Sequence, residues 1–304
     1  MLFRTAWLRQ IAEDLFKDNE FLNYALIWDE FVQEGIQTVV VGQSGGASSV
    51  TRNRSSFPAT VSERSDSDIS FDMTDYTSDP RRIRALLQKQ YSYDYRASII
   101  RQDTALIKQF MAEDIIYAWR AEQAKRILKT TGTAVAASAN SVATGNRKAV
   151  TLADFVRADK VMNDDLIPQS GRKAIITPQA KMDLLNDPKV QGTNIFQQLT
   201  DYKDGQIAKV MNFDVMVRST VLTYNAGGTT AKLPDAAGAT TDCEASLFWH
   251  PLFVGRAVGN MEVFFNAGQA THYGDLLSLE AQAGGRKYYA DGRGVVALVQ
   301  DQAA

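Results

Sequence analysis

Apolar and polar positions along this 304-residue chain change period several times, and each change marks an element. As far as Gly35, Leu15, Phe16, Leu22, Leu26 and Ile27 recur at helical spacing with Trp7, Trp28 and Phe31 among them, which predicts one or two short helices in an arm. Ile36 to Val41 is rich in β-branched residues and predicts a strand, halted by the turn-forming run Gly42 to Ser49. From Thr51 to Asp79, Val61, Ile69, Phe71 and Met73 alternate loosely with Ser, Asp and Arg, the pattern of a long, exposed two-stranded excursion. A two-stranded ribbon has no second layer to cover its apolar face, so it needs a partner surface.

Asp103 to Lys129 contains no Gly or Pro and predicts the clearest helix, about 40 Å long at ~1.5 Å per residue. Leu106, Ile107, Phe110, Met111, Tyr117, Ala118, Ala121, Ala124 and Leu128 share one broad face while Ile116 and Trp119 point elsewhere, so the helix is expected to pack on two sides. Thr130 to Asn146 reads as a small-residue linker. Thr151 to Asp164 predicts a helix capped by Thr151 with Asp154 three residues on, a variant of the capping box. Ala174 to Thr177 is a short strand ended by Pro178, and Gln179 to Leu185 a helix; this alternation suggests an α/β subdomain. Phe213 to Leu222 predicts a strand and Gly227 to Gly238 a loop. Val258 to Phe265, Asp275 to Ala283 and Val295 to Val299 predict three more strands, separated by Gly268, by Gly284 and Gly285, and by an Asp291-Gly292 turn.

Composition narrows the chemistry. With 45% hydrophobic and 22% charged residues the chain is ordinarily globular, and a net charge of -2 supplies no global basic field for nucleic acid. Any contact with packed DNA has to be local or summed over many copies. One cysteine, Cys243, excludes an intrachain disulfide and a cysteine cluster, and the two histidines, His250 and His272, lack ligand spacing. No metal site and no cofactor is therefore expected. Glu13 and Asp14 interrupt the N-terminus before a signal-like apolar run, and Thr130 to Asn146 is too polar for a membrane span, so a soluble chain made in the cytoplasm is expected.

Gly42-Gln43-Ser44-Gly45-Gly46 matches the G-x-S-x-G nucleophile elbow and follows an apolar strand. A serine hydrolase using Ser44 is the alternative from another functional class. It needs a helix directly after the serine, and the next residues are rich in Ser and Arg, without helical period, and include Pro58; a flexible turn fits better. The same glycines lack the Lys-Ser or Lys-Thr of a phosphate loop. The adjacent acids Asp164 and Asp165, and Glu113 and Asp114, read as solvated helix ends. Arg81, Arg82 and Arg84, Arg52 and Arg54, and Arg147 and Lys148 read as solvated faces or subunit contacts.

The order of parts resembles the HK97-like fold of tailed-bacteriophage major capsid proteins, an α+β fold with N-terminal arm, E-loop hairpin, P-domain with long spine helix, and α/β A-domain. Three stretches carry the resemblance: QYSYDYRASIIR at Gln90 to Arg101, ADKVMNDDLIPQSGRKAIITP at Ala158 to Pro178, and HYGDLLSLEAQAGGRKYYADGRGVVALVQD at His272 to Asp301. They are similar to segments of capsid proteins from phages of Bacteroidetes hosts. By resemblance the divisions are arm 1–46, E-loop 47–79, P-domain 80–150 with the spine helix, A-domain 151–241 and P-domain return strands 242–304. The family implies a non-enzymatic shell protein that forms pentamers and hexamers, meets portal and scaffolding proteins, encloses double-stranded DNA without sequence preference, and has no membrane contact. It locates the chain in the virion capsid, made in the host cytoplasm. Arg52, Arg54, Arg64, Asp66 and Asp68 become the expected interface residues of the E-loop. No lysine lies between Lys17 and Lys89, so the lysine–asparagine crosslink some relatives make from this loop is not expected. No room for a cleaved scaffolding segment precedes the arm, which implies a separate scaffold or a processed chain. Encapsulin nanocompartments share the fold and are the alternative within the class.

Overall fold

The computed structural model describes residues 19–32, 37–46, 48–59, 61, 63–84, 95–191, 200–201, 206–207 and 209–303. The expected helical positions Trp7, Leu15 and Phe16, and residues 90–94 of the Gln90 to Arg101 stretch, lie outside them. In chain order the strands are β1 (Leu26–Ile27), β2 (Thr38–Gln43), β3 (Ser67–Asp72), β4 (Thr74–Thr77) and β5 (Arg81–Ile83), followed by the long helix α1 (Tyr95–Ala118). Next come β6 (Ile127–Lys129), β7 (Ala134–Ala136), β8 (Asn146–Lys148), α2 (Leu152–Asp164), β9 (Arg172–Ile176), α3 (Pro178–Leu185) and α4 (Pro188–Gln191). The rest is β: β10 (Thr200–Asp201), β11 (Gln206–Ile207), β12 (Lys209–Val210), β13 (Phe213–Val217), β14 (Leu222–Tyr224), β15 (Cys243–Trp249), β16 (Val254–Gln269), β17 (Gly274–Lys287) and β18 (Val295–Val299).

A seven-stranded mixed sheet, ordered β12-β13-β9-β15-β18-β6 with β14 added to β15, forms the interior. Every residue of β15 and β18 is buried. Alternate residues of β18 serve two cores: Val295, Ala297 and Val299 join Trp119, Trp249 and Leu247, while Val296 and Leu298 join Phe155, Phe213 and Phe248 beneath α2 and α3. Burial on both faces explains a continuous apolar run rather than alternation. The three phenylalanines meet edge to face, with ring centroids 5.0 Å apart for Phe155–Phe248 and for Phe213–Phe248.

Two helix starts follow from local chemistry. The backbone N–H and hydroxyl of Thr151 donate to Asp154 Oδ2 at 3.1 and 2.9 Å, the reciprocal half of a capping box. Thr177 Oγ1 accepts from the Ala180 N–H at 3.3 Å with Pro178 in the first turn, where a missing N–H costs nothing.

Other expectations are corrected. The long helix starts earlier and stops at Ala118 instead of running to Lys129. Trp119 is fully buried, its indole N–H donates to the Gly255 carbonyl at 3.0 Å, and its ring packs 5.8 Å from Trp249; Tyr224 then caps the Ala121 carbonyl at 3.0 Å. These tertiary anchors turn the chain into β6, which runs parallel to β18. The buried apolar residues of α1 are Ile99, Met111, Ala112, Ile115 and Ile116, with Trp119 following its end, whereas Leu106 and Phe110 face outward. The linker contains the ribbon β7–β8, and Phe213 to Leu222 is two strands rather than one.

The second sheet holds β1-β16-β17-β4, with β5 also on β17. Gly284 and Gly285 do not separate strands: β17 runs through them to Lys287. Their missing side chains let neighbours close in, since a Cβ on Gly284 would sit 2.9 Å from the Phe71 ring and one on Gly285 3.2 Å from Ile115.

Candidate assembly surfaces

The hairpin β2–β3 pairs antiparallel from Thr38 opposite Asp72 to Gln43 opposite Ser67. Its first arm is the β-branched run itself, so both arms do not lie within Thr51 to Asp79 as the alternation suggested. Period-two burial places Val39, Val41, Ile69 and Phe71 inward, the first two and Phe71 against Trp28, Met73 and Ala257. Val40 faces out, half exposed, and the Thr38 hydroxyl donates to Asp72 Oδ1 at 2.8 Å across the arms.

Beyond the arms, the described residues of 44–66 form a tip of turns, bends and irregular chain. Val50, Phe57 and Val61 stand 91%, 79% and 90% exposed there. They are among the most exposed large apolar side chains of the described residues. The neck of the tip is closed locally: the Gly45 N–H donates to Asp66 Oδ1 at 2.7 Å, and Arg64 grips Asp66 through Nε and Nη2, each at 2.7 Å. The Arg64 guanidinium foremost, with the Gly45 N–H, holds the Asp66 carboxyl below its ordinary range. A Cβ on Gly45 would fall 2.1 Å from the Ser65 carbonyl oxygen, so this crossing needs glycine.

Of the expected interface residues, Arg64 and Asp66 are thus brought together with each other. Arg54 reaches the Thr51 hydroxyl at 3.4 Å, while Arg52 and Asp68 are exposed. Ala47, Thr60 and Ser62 of the loop lie outside the described residues.

A second exposed surface is the far end of the ribbon β16–β17, strands of 16 and 14 residues that bury Leu277, Leu279, Ala281 and Ala283. Phe264 and Phe265 are partly exposed on it, and Tyr273 at its tip is 85% exposed. Arg82 steadies that tip by donating to the His272 carbonyl at 3.1 Å.

The basic and acidic clusters have structural partners. Arg81 pairs with buried Asp103 at 3.0 Å, and Lys148 with Asp301 at 2.7 Å. Arg147 is buried and donates to the Asp242 carbonyl at 3.1 Å through Nη2. The adjacent acids are not simply solvated helix ends: Asp165 holds Arg126 at 2.7 Å and Asp114 accepts the Tyr76 hydroxyl at 2.5 Å.

Among the described residues the chain after Ser44 is irregular and turned rather than helical, so the strand-turn-helix of an elbow is missing there. His250 is buried, with Nδ1 accepting from Leu252 N–H and Nε2 near the Ser170 carbonyl, and His272 Nδ1 bonds Thr271. Cys243 is buried in the core. Among the described residues no helix is long and apolar enough to cross a membrane, and no group of three or more His, Cys, Asp or Glu is placed to hold a metal.

No protein-family model and no curated protein matches the sequence. Solved structures do match its fold. A capsid chain of Cyanophage P-SCSP1u aligns with TM-score 0.65 at 16% identity, covering 92% of this chain and 87% of that one. The capsid of Ralstonia phage GP4 gives 0.64 at 12%, covering 92% and 88%. Cyanophage Pam1 capsid gives 0.63 at 10%, covering 94% and 91%. The chain therefore has the fold of phage capsid chains over nearly its whole length.

Proposed function

We propose that this chain is the major capsid protein of a tailed bacteriophage, many copies of which close into an icosahedral shell around double-stranded DNA. The observation that carries the reading is the pairing of a capsid-type fold over 92% of the chain with a hairpin whose apolar tip its own chain leaves bare. Each subunit offers that tip to its neighbour, a heterologous contact that closes into five- and six-membered rings when the rotation per copy is right. In this reading α1 is the spine of the P-domain, roughly 151–241 form the A-domain, and the E-loop begins with β2 at Thr38 rather than at 47. Arg52, Arg54 and Asp68 are the charges of the loop still available to a neighbour, and the Arg64–Asp66 pair shapes the neck that presents them. Exposed pairs of this kind contribute ~0 to 1 kcal/mol each, so they set register while the apolar tip supplies affinity.

Assembly in the host cytoplasm, with portal and scaffolding proteins as partners, follows from the same reading, as does a host among Bacteroidetes from the three resembling stretches. The charge balance suits DNA that is enclosed rather than gripped. The test is electron microscopy of the chain expressed with its neighbouring genes, followed by nuclease treatment and extraction of the particle contents. Closed shells holding nuclease-protected DNA are expected. Shells filled with a protein cargo would instead establish an encapsulin-like compartment.

A further inference from the structure

Among the described residues, four that are not glycine have positive φ: Asn53, Leu166, Met211 and Tyr273. Asparagine tolerates this region, but a bulky residue there brings its Cβ against a neighbouring carbonyl and loses stability. Leu166, at φ 58°, stands where α2 closes: its N–H donates to the Asn163 carbonyl, and the Ile167 N–H donates to the Met162 carbonyl, both at 3.0 Å. That closing motif usually has glycine at this position. Met211, at φ 53°, opens the two-residue turn between β12 and β13, where Val210 pairs with Phe213, and turns of this length favour Gly, Asn or Asp. Neither side chain offsets the backbone cost by burial within the chain, since Leu166 is 91% exposed and Met211 44%.

The two lie at the same end of the seven-stranded sheet and are held by one buried residue. Arg172 donates to the Ile167 carbonyl at 2.6 Å and to the Pro168 carbonyl at 2.9 Å, fixing the chain just after Leu166. It also holds Asp159 Oδ1 at 2.5 Å, and the same oxygen accepts from Asn212 Nδ2 at 3.1 Å, beside Met211. Leu252, exposed as well, joins this end: its N–H donates to His250 Nδ1, and His250 Nε2 lies 3.2 Å from the Ser170 carbonyl. Strained backbone that a buried network keeps in place, with apolar side chains displayed on it, points to a function at that end.

We infer that this end of the sheet is a two-fold contact between two copies of the chain, centred on Leu166 and flanked by Met211 and Leu252. Charge selects the occupant. Lys160 and Asp164 are exposed, four residues apart on α2 and opposite in sign, and neither side chain has a partner among the described residues. Lysine ahead of the acid is the weaker order for pairing within one helix. A two-fold axis sets Lys160 of each copy against Asp164 of the other, because in such an interface residue i meets j and j meets i. Mixed signs give nucleic acid no uniform positive field, and a side chain as exposed as Leu166 protrudes instead of lining a site for a small molecule. The inference rests on the shell reading for the supply of many copies, and it adds a symmetric contact to the head-to-tail one made by the hairpin tip.

Sedimentation equilibrium of the purified, unassembled chain is expected to show a dimer. Leu166→Gly should weaken that dimer about tenfold or more, because the leucines are no longer there to be buried. The same variant should lower the unfolding equilibrium constant about fivefold, read as a higher denaturant midpoint, because glycine relieves the backbone. A variant that lost the dimer by damaging the fold would shift the midpoint the other way. Lys160→Asp alone should weaken the dimer about threefold, and Lys160→Asp combined with Asp164→Lys should restore it. Oxidation of Leu166→Cys with copper phenanthroline should give a covalent dimer on a non-reducing gel, and wild type, whose Cys243 is buried, should give none. A wild type that is monomeric throughout, a Leu166→Gly chain that dimerises like wild type or is no more stable, no rescue by the charge swap, or no disulfide dimer from Leu166→Cys would overturn the inference. Shells from a wild type that forms no dimer would sink this contact and leave the shell reading standing; dimers without shells would do the reverse.

Discussion

The central strand β15 and the hairpin arm β2 are similar in length and opposite in circumstance. All seven residues of β15 are buried, flanked by β9, β14 and β18 and covered on both faces. The β2 arm buries only Val39 and Val41, and ends in a tip whose largest side chains contact water. The difference teaches where each region's stability comes from. The sheet is self-sufficient within one chain. In the proposed reading the hairpin tip is a surface whose exposed apolar side chains a neighbouring copy covers.

The contrast can be broken most forcefully from the core side. Trp249→Ala removes a fully buried ring wedged against Trp119, and is expected to cost ~3–5 kcal/mol, read as a lowered denaturant midpoint. A loss below about 1 kcal/mol would mean that the sheet is not the stabilising centre.

Arg172 is the next lever. Fully buried, it holds Asp159 at 2.5 Å and donates to Asn163 Oδ1 at 2.7 Å and the Ile167 carbonyl at 2.6 Å. Arg172→Met strands the largely buried Asp159 carboxylate and is expected to cost ~3 kcal/mol in chemical denaturation. The double variant Arg172→Met with Asp159→Leu should recover most of it; no recovery would assign the loss to packing instead.

A smaller effect is expected from pH. The Lys148 ammonium, and then that of Lys129, hold the Asp301 carboxyl below its ordinary value against the opposing effect of burial. A lowered folded-state pKa gives stability that is fully present above the unfolded value, near ~3.9, and is lost as pH falls through the folded one. After allowance for solvent screening the pair contributes ~0.5–1 kcal/mol. Lys148→Met should therefore be less stable than wild type at pH 6, and the gap should shrink as pH drops below 3.9 in denaturant titrations; a gap that is constant with pH would remove the ion pair from the account.

The smallest effect on folding belongs to the tip. Val50→Ser, Phe57→Ser and Val61→Ser together should change unfolding free energy by less than ~0.5 kcal/mol, since all three are exposed. The same variant should fail to assemble, as judged by sedimentation, and should behave like deletion of 55–68. Normal particles from either would remove the hairpin from the assembly role.

Legibility in the sequence followed the locality of the cause. Thr151 with Asp154 specifies a helix start within a few residues, and the structure has it; the helix expected at Gln179 starts one residue earlier, at Pro178, with Thr177 as its cap. The end of α1 is set by Trp119 reaching Gly255, 136 positions away, and no helical period records that. β15 was missed because a strand buried on both faces has no alternation; its signal is only the short apolar run Leu247 to Trp249. Gly284 and Gly285 suggested breaks, yet they make room for Phe71 and Ile115. In the hairpin, the β-branched run was legible as a strand, but its partner was not, because 23 residues separate the arms. Ser44 matched a short pattern whose meaning depends on a helix that does not follow. Of the interface charges, type and exposure were readable and the Arg64–Asp66 pairing across the neck was not. The Ser138–Glu244 hydrogen bond gave no local signal, its partners lying 106 positions apart.

The most direct test of the central claim is a density map of the assembled particle, asking what lies against residues 48–59 of the tip. The account predicts a closed shell in which Val50 and Phe57 are covered by a neighbouring copy. A chain that stays monomeric or in small oligomers under all assembly conditions, or a shell in which both side chains still face solvent, would contradict it.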